Sequence, residues 1–169
     1  MDVETAIRTR RTHKAFAPEP LPREQIDELL ELASWAPNHN LTVPWRFRVV
    51  GLEALRRLKE VAGPEGAAKL DRAPTLVAAS VVQNGDPVAA EEDFAAGACA
   101  VYIVLLAAHE RGLGGYWRTP GVLRTPEGRA ACGIGDDERV LGLVHLGEAR
   151  GEKHAPERAP LAAVVEHLD

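Results

Sequence analysis

The sequence predicts an α+β sandwich formed by a single domain over residues 1–169, and three observations lead there. Stretches with helical apolar spacing outnumber stretches with strand alternation. Their order does not alternate as βαβ units would, which disfavours a doubly wound parallel sheet. No GxGxxG or GxxxxGK[ST] follows a predicted strand, so the dinucleotide fingerprint and the P-loop are both missing. With 169 residues, 46% of them hydrophobic, the chain can bury a substantial core without disulfides or metal.

Taken in order, residues 2–10 read as a first helix, with Val3, Ala6 and Ile7 on one face and Arg8 on the other. Ala17-Pro18-Glu19-Pro20-Leu21-Pro22 is a proline-stiffened connection. Pro22 suits the first turn of a second helix striped by Ile26, Leu29, Leu30, Leu32 and Ala33, which Pro37 ends. A polar loop, Asn38-His39-Asn40, leads through Pro44-Trp45 into a strand over 46–50, where Phe47 and Val49 alternate with Arg46 and Arg48. A third helix over 53–62 turns Leu55, Leu58, Val61 and Ala62 inward and closes at Gly63-Pro64; 64–74 read as a loop or broken helix.

The apolar run Leu76–Val82 reads as a buried central strand, ended by Asn84-Gly85. Phe94–Ala108 is Ala-rich and shorter than a membrane span, so it predicts a core helix over 90–110. Its small residues Ala95, Ala96, Gly97, Ala98 and Ala100 allow close packing against another helix or a symmetry mate. Gly112 supplies the C-cap, and Gly114-Gly115 free the chain to turn before Tyr116-Trp117-Arg118-Thr119-Pro120. A short helix over 126–132 ends at Gly133, and a last strand over 140–146 stops at Gly147. From Gly151 the tail is proline-interrupted, with an apolar patch at 161–165.

A net charge of −5 argues against nucleic acid as principal partner, since that binding depends on Lys and Arg neutralising phosphates. Cys99 and Cys132 form no CxxC pair and suit a reduced, cytoplasmic protein. The start lacks the cationic and apolar regions of a signal peptide, and no segment reads as a membrane span. Six dispersed histidines with no HExxH or paired Cys/His spacing predict no metal site. The acidic groups Glu91-Glu92-Asp93 and Asp136-Asp137-Glu138 suit helix starts or turns.

Against that acidic background, Arg8 to Lys14 gathers four fixed cations, two hydroxyls and a histidine. Arginine forks match phosphate oxygens with paired N–H bonds, and Thr12 adds a donor. Capping of a helix C-terminus accounts for one or two of these charges, and a solvated charged face is the plain alternative. Asn38, His39 and Asn40 are potential donors in a loop, or simply turn formers. Tyr116 and Trp117 can flank a planar ring or pack on the core.

Together these stretches resemble the nitroreductase family of FMN-dependent oxidoreductases, most nearly its short, minimal bacterial members. The resemblance rests on Arg10-Arg11-Thr12, Ala36-Pro37-Asn38-His39, Pro44-Trp45-Arg46-Phe47, Gly112-Leu113-Gly114-Gly115-Tyr116-Trp117-Arg118 and Gly142-Leu143-Val144-His145-Leu146-Gly147, in family order up to about residue 150. It implies an α/β/α sandwich whose central sheet is mostly antiparallel, and a homodimer with FMN at the subunit interface. Arg10, Arg11 and Thr12 would hold the phosphate and ribityl chain. Lys14 would sit near the ring and tune it. His39, Trp117, Arg118 and Thr119 match flavin-contacting positions, Trp35 a position that reaches the partner's flavin. Trp35 stands where minimal relatives can carry arginine, and Val43 where many members have Gln.

The reaction so implied is ping-pong, from NADH or NADPH through flavin N5 to a nitro-aromatic or quinone-like acceptor, with little side-chain acid–base chemistry. A specialised flavoenzyme of the same fold, for dehalogenation or dehydrogenation, is one alternative, and a non-catalytic flavin-binding or storage protein is another. The tail, about 151–169, is expected to embrace the partner subunit.

Overall fold

In a computed structural model that describes residues 1–83 and 85–168, the strands β1 (Trp45–Val49), β2 (Thr75–Val82), β3 (Leu113–Arg118) and β4 (Glu138–Glu148) form one sheet. Its order is β1-β2-β4-β3, and every pairing is antiparallel. The helices are α1 (Val3–Thr9), α2 (Arg23–Ala33), α3 (Leu52–Leu70), α4 (Pro87–Glu110) and α5 (Pro126–Ala131), joined by short 3-10 turns at His39–Leu41, Gly121–Arg124 and Leu161–Ala163.

The apolar run of β2 has no polar face because both its faces are covered. Val77, Ala79 and Val81 point into a core with α2 and α4, built on Leu29, Ala33, Val101 and Val104. Leu76 and Ala78 point the other way, into a core with Leu58, Leu70 and Leu123. Helices on both faces of the sheet make the expected α/β/α sandwich.

Several local expectations change. The sequence suggested a turn at Gly114-Gly115, but both residues lie inside β3, paired with Gly147 and Leu146. Helix α4 crosses there so closely that a Cβ on Gly115 would sit 2.8 Å from Leu105 Cδ2; these glycines serve close approach rather than a bend. On α4, Gly97 likewise faces the sheet at Val81 and Leu141, while Ala96 and Ala100 share the core with Leu29 and Ala33 of α2, the helix contact expected for its small residues. Of the two readings of 64–74, the broken helix holds for 64–70: α3 kinks at Gly63 (φ 67°) and resumes at Pro64. On α1 only Ala6 is buried, leaving Val3 and Ile7 exposed. β4 starts earlier than expected and runs through Gly147. Of the Asn84-Gly85 terminator, Asn84 lies outside the described residues.

The largest correction concerns Arg48 and Glu138. Val49 is exposed at the sheet edge, whereas Arg48 reaches across β2 to Glu138. Arg48 Nη2 donates to Glu138 Oε1 at 2.6 Å, and Nη1 donates to Oε2 at 3.0 Å and to Ser80 Oγ at 3.1 Å. The Ser80 hydroxyl and the Gly135 N–H also donate to the carboxylate. Burial opposes the charged form of Glu138, but these bonds outweigh it and hold its pKa below the usual value. Glu138 is therefore a buried tie between β1, β2 and β4, where the sequence suggested a turn acid. Nearby, burial raises the Cys132 thiol to about 11, with Arg48 opposing, so it is inert at neutral pH.

His145 is fully buried on β4, opposite Tyr116 of β3, and neither ring nitrogen has a hydrogen-bond partner. Burial, then the charges of Arg118 and Arg72, push its pKa down to about 4. In the unfolded chain the imidazole takes up a proton near pH 6.5, in the folded one only near 4, so the unfolded state binds more protons in between. Acidification from pH 7 to 4 therefore removes stability, by about 3 kcal/mol at most from this group. His145→Phe is expected to flatten that part of the pH dependence in denaturant titrations; an unchanged slope between pH 7 and 4 would refute the assignment.

Candidate functional site

The cationic stretch forms at the end of α1, where Arg10 is the C-cap. Arg11 Nη1 donates to the carbonyls of Arg8 (2.7 Å) and Arg10 (2.8 Å), so part of its charge caps the helix. Arg8 points outward to Glu4. The end of α1 lies against the C-terminal half of α4. Thr9 donates its hydroxyl to the Thr5 carbonyl, which leaves His109 Nε2–H to donate to Thr9 Oγ1 at 2.7 Å. Arg10 Cζ stands 5.9 Å from the Tyr102 ring centre. The chain is then pinned to β3: Thr12 bridges Gly115 in parallel, and the His13 N–H donates to the Gly115 carbonyl at 3.1 Å.

Arg10 Nε, Arg11 Nε and His13 Nδ1 are buried and have no hydrogen-bond partner. Among the described residues no carboxylate pairs with Arg10, Arg11, Lys14 or Arg118. The field is positive enough to act on neighbours. Burial first, then Lys153, His109 and Arg10, lower the pKa of His13; burial, then Arg10 and Arg11, lower that of His109. A groove of about 590 Å³ opens here between Arg10, Arg11, Tyr102 and the tail at Ala155, Pro156 and Arg158. Unsatisfied guanidinium donors in a groove without carboxylates fit a phosphate.

A second cleft, of about 600 Å³, lies along the outer half of β3, lined by Tyr116, Arg118, Thr119 and the kinked end of α3. Lys14 connects the two, its ammonium 5.6 Å from the Tyr116 ring centre, while His145 packs 5.3 Å from that same centre. Arg118 and Tyr116 project to this side, and Arg118 Nε is buried without a partner. Trp117 projects to the opposite face, packs on the α4 core and donates its indole N–H to the Leu141 carbonyl at 3.0 Å. Only its backbone can meet a ligand in this cleft. Glu65 and Lys69, one helical turn apart and paired, also line the cleft. They lie in the stretch that reads as a loop or broken helix, and the i,i+4 Glu–Lys spacing after Pro64 is the signal for them in the sequence.

Arg10, Arg11, Thr12, Lys14, Arg118 and Thr119 thus gather along β3, but Trp35 and His39 do not join them. Asn38 folds the loop on itself, accepting from the Val43 N–H at 2.9 Å and donating to the Ala36 carbonyl at 3.1 Å. Asn40, Leu41 and Val43 adopt positive φ, an unusual backbone for Leu and Val. The loop docks on the first turns of α4 through His39–Glu92 (3.9 Å) and Thr42–Asp93 (2.8 Å). The arginines lie beside Tyr102 and His109 of the same helix. At 1.5 Å per residue, those attachment points are roughly 15–25 Å apart. Trp35 is 77% exposed and stands free of the core. Among the described residues no group of three or more His, Cys, Asp or Glu converges on a metal position.

Comparison with known proteins gives the family and the fold. The nitroreductase family profile matches residues 7–66. YdjA of Escherichia coli strain K12 is 31% identical over 164 residues, covering 87% of this chain and 88% of its own. The chain belongs to the nitroreductase family. The NAD(P)H nitroreductase name of YdjA is itself a provisional one. Among solved structures, a nitroreductase-like family protein from Bacillus cereus superposes with a TM-score of 0.89 at 23% identity, covering 99% of this chain and 96% of the other. NfnB from Sphigopyxis sp. strain HMH, an FMN and NADPH-dependent nitroreductase, gives 0.83 at 18% identity with both chains fully covered. At these identities the solved structures establish the family's fold.

A dianion in the arginine groove would reverse the field felt by both neighbouring histidines. Inorganic phosphate is expected to move the NMR titration midpoints of His13 and His109 upward, and Arg10→Ala with Arg11→Ala to abolish that response. Midpoints indifferent to phosphate would place the anion elsewhere.

Proposed function

We propose that this protein is an FMN-dependent NAD(P)H oxidoreductase that passes electrons, by a ping-pong mechanism, to a nitro-aromatic or quinone-like acceptor. One observation carries the reading: partnerless guanidinium donors of Arg10 and Arg11 lead through Lys14 into the Tyr116–Thr119 cleft, a track with phosphate chemistry at one end and ring-sized space at the other. Family membership supports it, as does the FMN and NADPH dependence stated for NfnB. The bound flavin would supply the hydride chemistry, taking it at N5 from the nicotinamide.

The chain's own residues then bind and tune. Arg10, Arg11 and Thr12 grip the phosphate end. Lys14 sits where a cation favours the extra negative charge of a reduced ring. Arg118 and Thr119 border the ring, and Trp117 supplies backbone while its side chain anchors β3. No protein acid or base is required beyond this electrostatic support.

The working unit in this reading is a homodimer of single-domain subunits. His39 docks near the start of α4 and Arg10 near its C-terminal half, and in this reading a second copy brings His39 and Trp35 to the ligand. Val3, Ile7, Trp35, Leu41 and Val43 leave apolar surface exposed for such a partner, and so do Leu161 and Val164 of the tail, which would embrace it. Among the described residues no helix is long and apolar enough to cross a membrane; a buried thiol at Cys132 with Cys99 unpaired suits a cytoplasmic setting.

Purified protein is expected to be yellow, with its flavin absorption bleached by NADH or NADPH under anaerobic conditions and restored by a nitroarene or quinone. Colourless protein that takes up no added FMN would sink the proposal; flavin that no nicotinamide reduces would favour the storage alternative. Arg10→Ala with Arg11→Ala should weaken FMN binding by about a hundredfold or more, since each charge-assisted bond contributes about 1.5–3 kcal/mol. Light-scattering mass should give a dimer, and a monomer that holds FMN tightly would contradict the shared site.

A further inference from the structure

A third cleft, of about 570 Å³, lies around the corner from the Tyr116–Thr119 cleft, and Thr119 lines both. Three guanidinium groups border it, Arg124, Arg129 and Arg139, together with Gln83, Phe94 and Glu138. For a chain of net charge −5 this is a local excess of positive charge. Glu138 does not offset it, because its carboxylate is already saturated by Arg48, Ser80 and the Gly135 N–H.

The other carboxylates nearby offset little. Arg139 Cζ stands over Phe94, 3.7 Å from the ring centre, and its partner Glu91 is solvent-exposed at 3.1 Å, where an ion pair contributes little. Arg129 gives Nη2 to the Gly135 carbonyl at 2.6 Å and only a 3.5 Å contact to the fully exposed Asp136. Its Nε is buried and has no partner. Among the described residues Arg124 forms no ion pair.

The backbone that presents these arginines is rigid. Helix α5 rests on the Gly121–Arg124 turn so tightly that a Cβ on Gly128 would stand 1.9 Å from the Val122 carbonyl oxygen. Thr125 locks the junction, donating to that carbonyl at 2.9 Å and accepting from the Gly128 N–H at 3.1 Å. Arg129 is held by its bond to the Gly135 carbonyl and Arg139 by its place over Phe94, while Arg124 is an exposed side chain on the Gly121–Arg124 turn. Guanidinium forks around an apolar floor are suited to a phosphate or carboxylate.

We propose that this cleft is an anion subsite, seating the phosphate or carboxylate arm of a small-molecule substrate whose reactive end enters the Tyr116–Thr119 cleft. The proposal rests on the oxidoreductase reading above and adds a substrate class to it. A nicotinamide dinucleotide could supply the anion through its diphosphate or its 2′-phosphate, and a nitroarene through a carboxylate.

The test uses the full chain saturated with FMN, so that the Arg10–Arg11 groove is filled. Were FMN not to bind, the same titration would be run on the Arg10→Ala, Arg11→Ala protein, which separates failure of this proposal from failure of the oxidoreductase reading. Pyrophosphate is the probe, followed by calorimetry on wild type, on Arg124→Gln and on Arg124→Gln with Arg129→Gln. Arg124 has no partner to lose, so the single variant tests the site even if the double variant is unstable. Expected are a pyrophosphate affinity weakened about tenfold or more in the double variant, unchanged flavin content, and a KM raised to a similar extent for an anionic substrate but not for neutral nitrobenzene. A rise for NADPH alone assigns the 2′-phosphate, for NADH and NADPH the diphosphate, and for 4-nitrobenzoate alone the acceptor's carboxylate. Equal pyrophosphate affinity in wild type and variants, or none in wild type, overturns the proposal. So does lost affinity with every KM unchanged, which would mean an adventitious ion only.

Discussion

Everything positioned in this molecule hangs on the antiparallel pairing of β2 with β4 under cover on both faces. Those two strands form the middle of the sheet, and their alternating side chains feed two separate cores. Because the register assigns each residue to one face, it also assigns chemistry to faces. His145 and Leu143 of β4 share the α3 side with Tyr116 and Arg118, while Val144 shares the α4 side with Trp117. The Arg48–Glu138–Ser80 tie locks that register from the opposite end, at a bidentate geometry that tolerates no slip.

Much of this could be read from the sequence, for identifiable reasons. β2 was legible because an apolar run of strand length, interrupted only by Ser80, has few other homes, and α2 because its apolar stripe keeps helical spacing and prolines flank it. The phosphate end of the site was legible because cations so concentrated contradict the chain's own acidity. The places that misled reading share one cause, in that tertiary contact overrode local signal. Gly114 and Gly115 carry the signature of a turn, yet α4 needs them bare inside a strand. Glu138 follows two aspartates and looks like surface, yet a distant arginine draws it into the interior. Trp117 advertises an aromatic wall, but β-strand alternation delivers it to the core and leaves Arg118 in the cleft. Lys69 went unread because Gly63-Pro64 ends one helix and, one residue later, begins another.

The charges follow a simple spatial logic. Exposed ion pairs along the helices, such as Arg56 with Glu53 and Glu60, contribute little and serve solubility. Among the described residues Arg10, Arg11, Lys14 and Arg118 have no carboxylate partner at the end of α1 and on β3, and Arg124 has none beside the third cleft. In an acidic protein such local excesses of positive charge draw small anions. Helix α4 sets the scale of this layout, with the arginines near its last turns and the Asn38–Val43 loop at its first.

The tie of Thr12 and His13 to Gly115 has a consequence for solubility. β3 is an outermost strand of the sheet, and a bare outer strand is a template on which other chains can aggregate. Thr12 and His13 cover that edge at Gly115, where the His13 N–H takes the carbonyl, and the chain then pairs with the end of β4 and beyond, Ala17 with Glu148 and Arg150 with Ala15. The peptide that carries the proposed phosphate grip is thus also the sheet's edge guard. Backbone-disrupting changes there, such as a proline at His13, would cost the cell soluble protein before they cost it a cofactor.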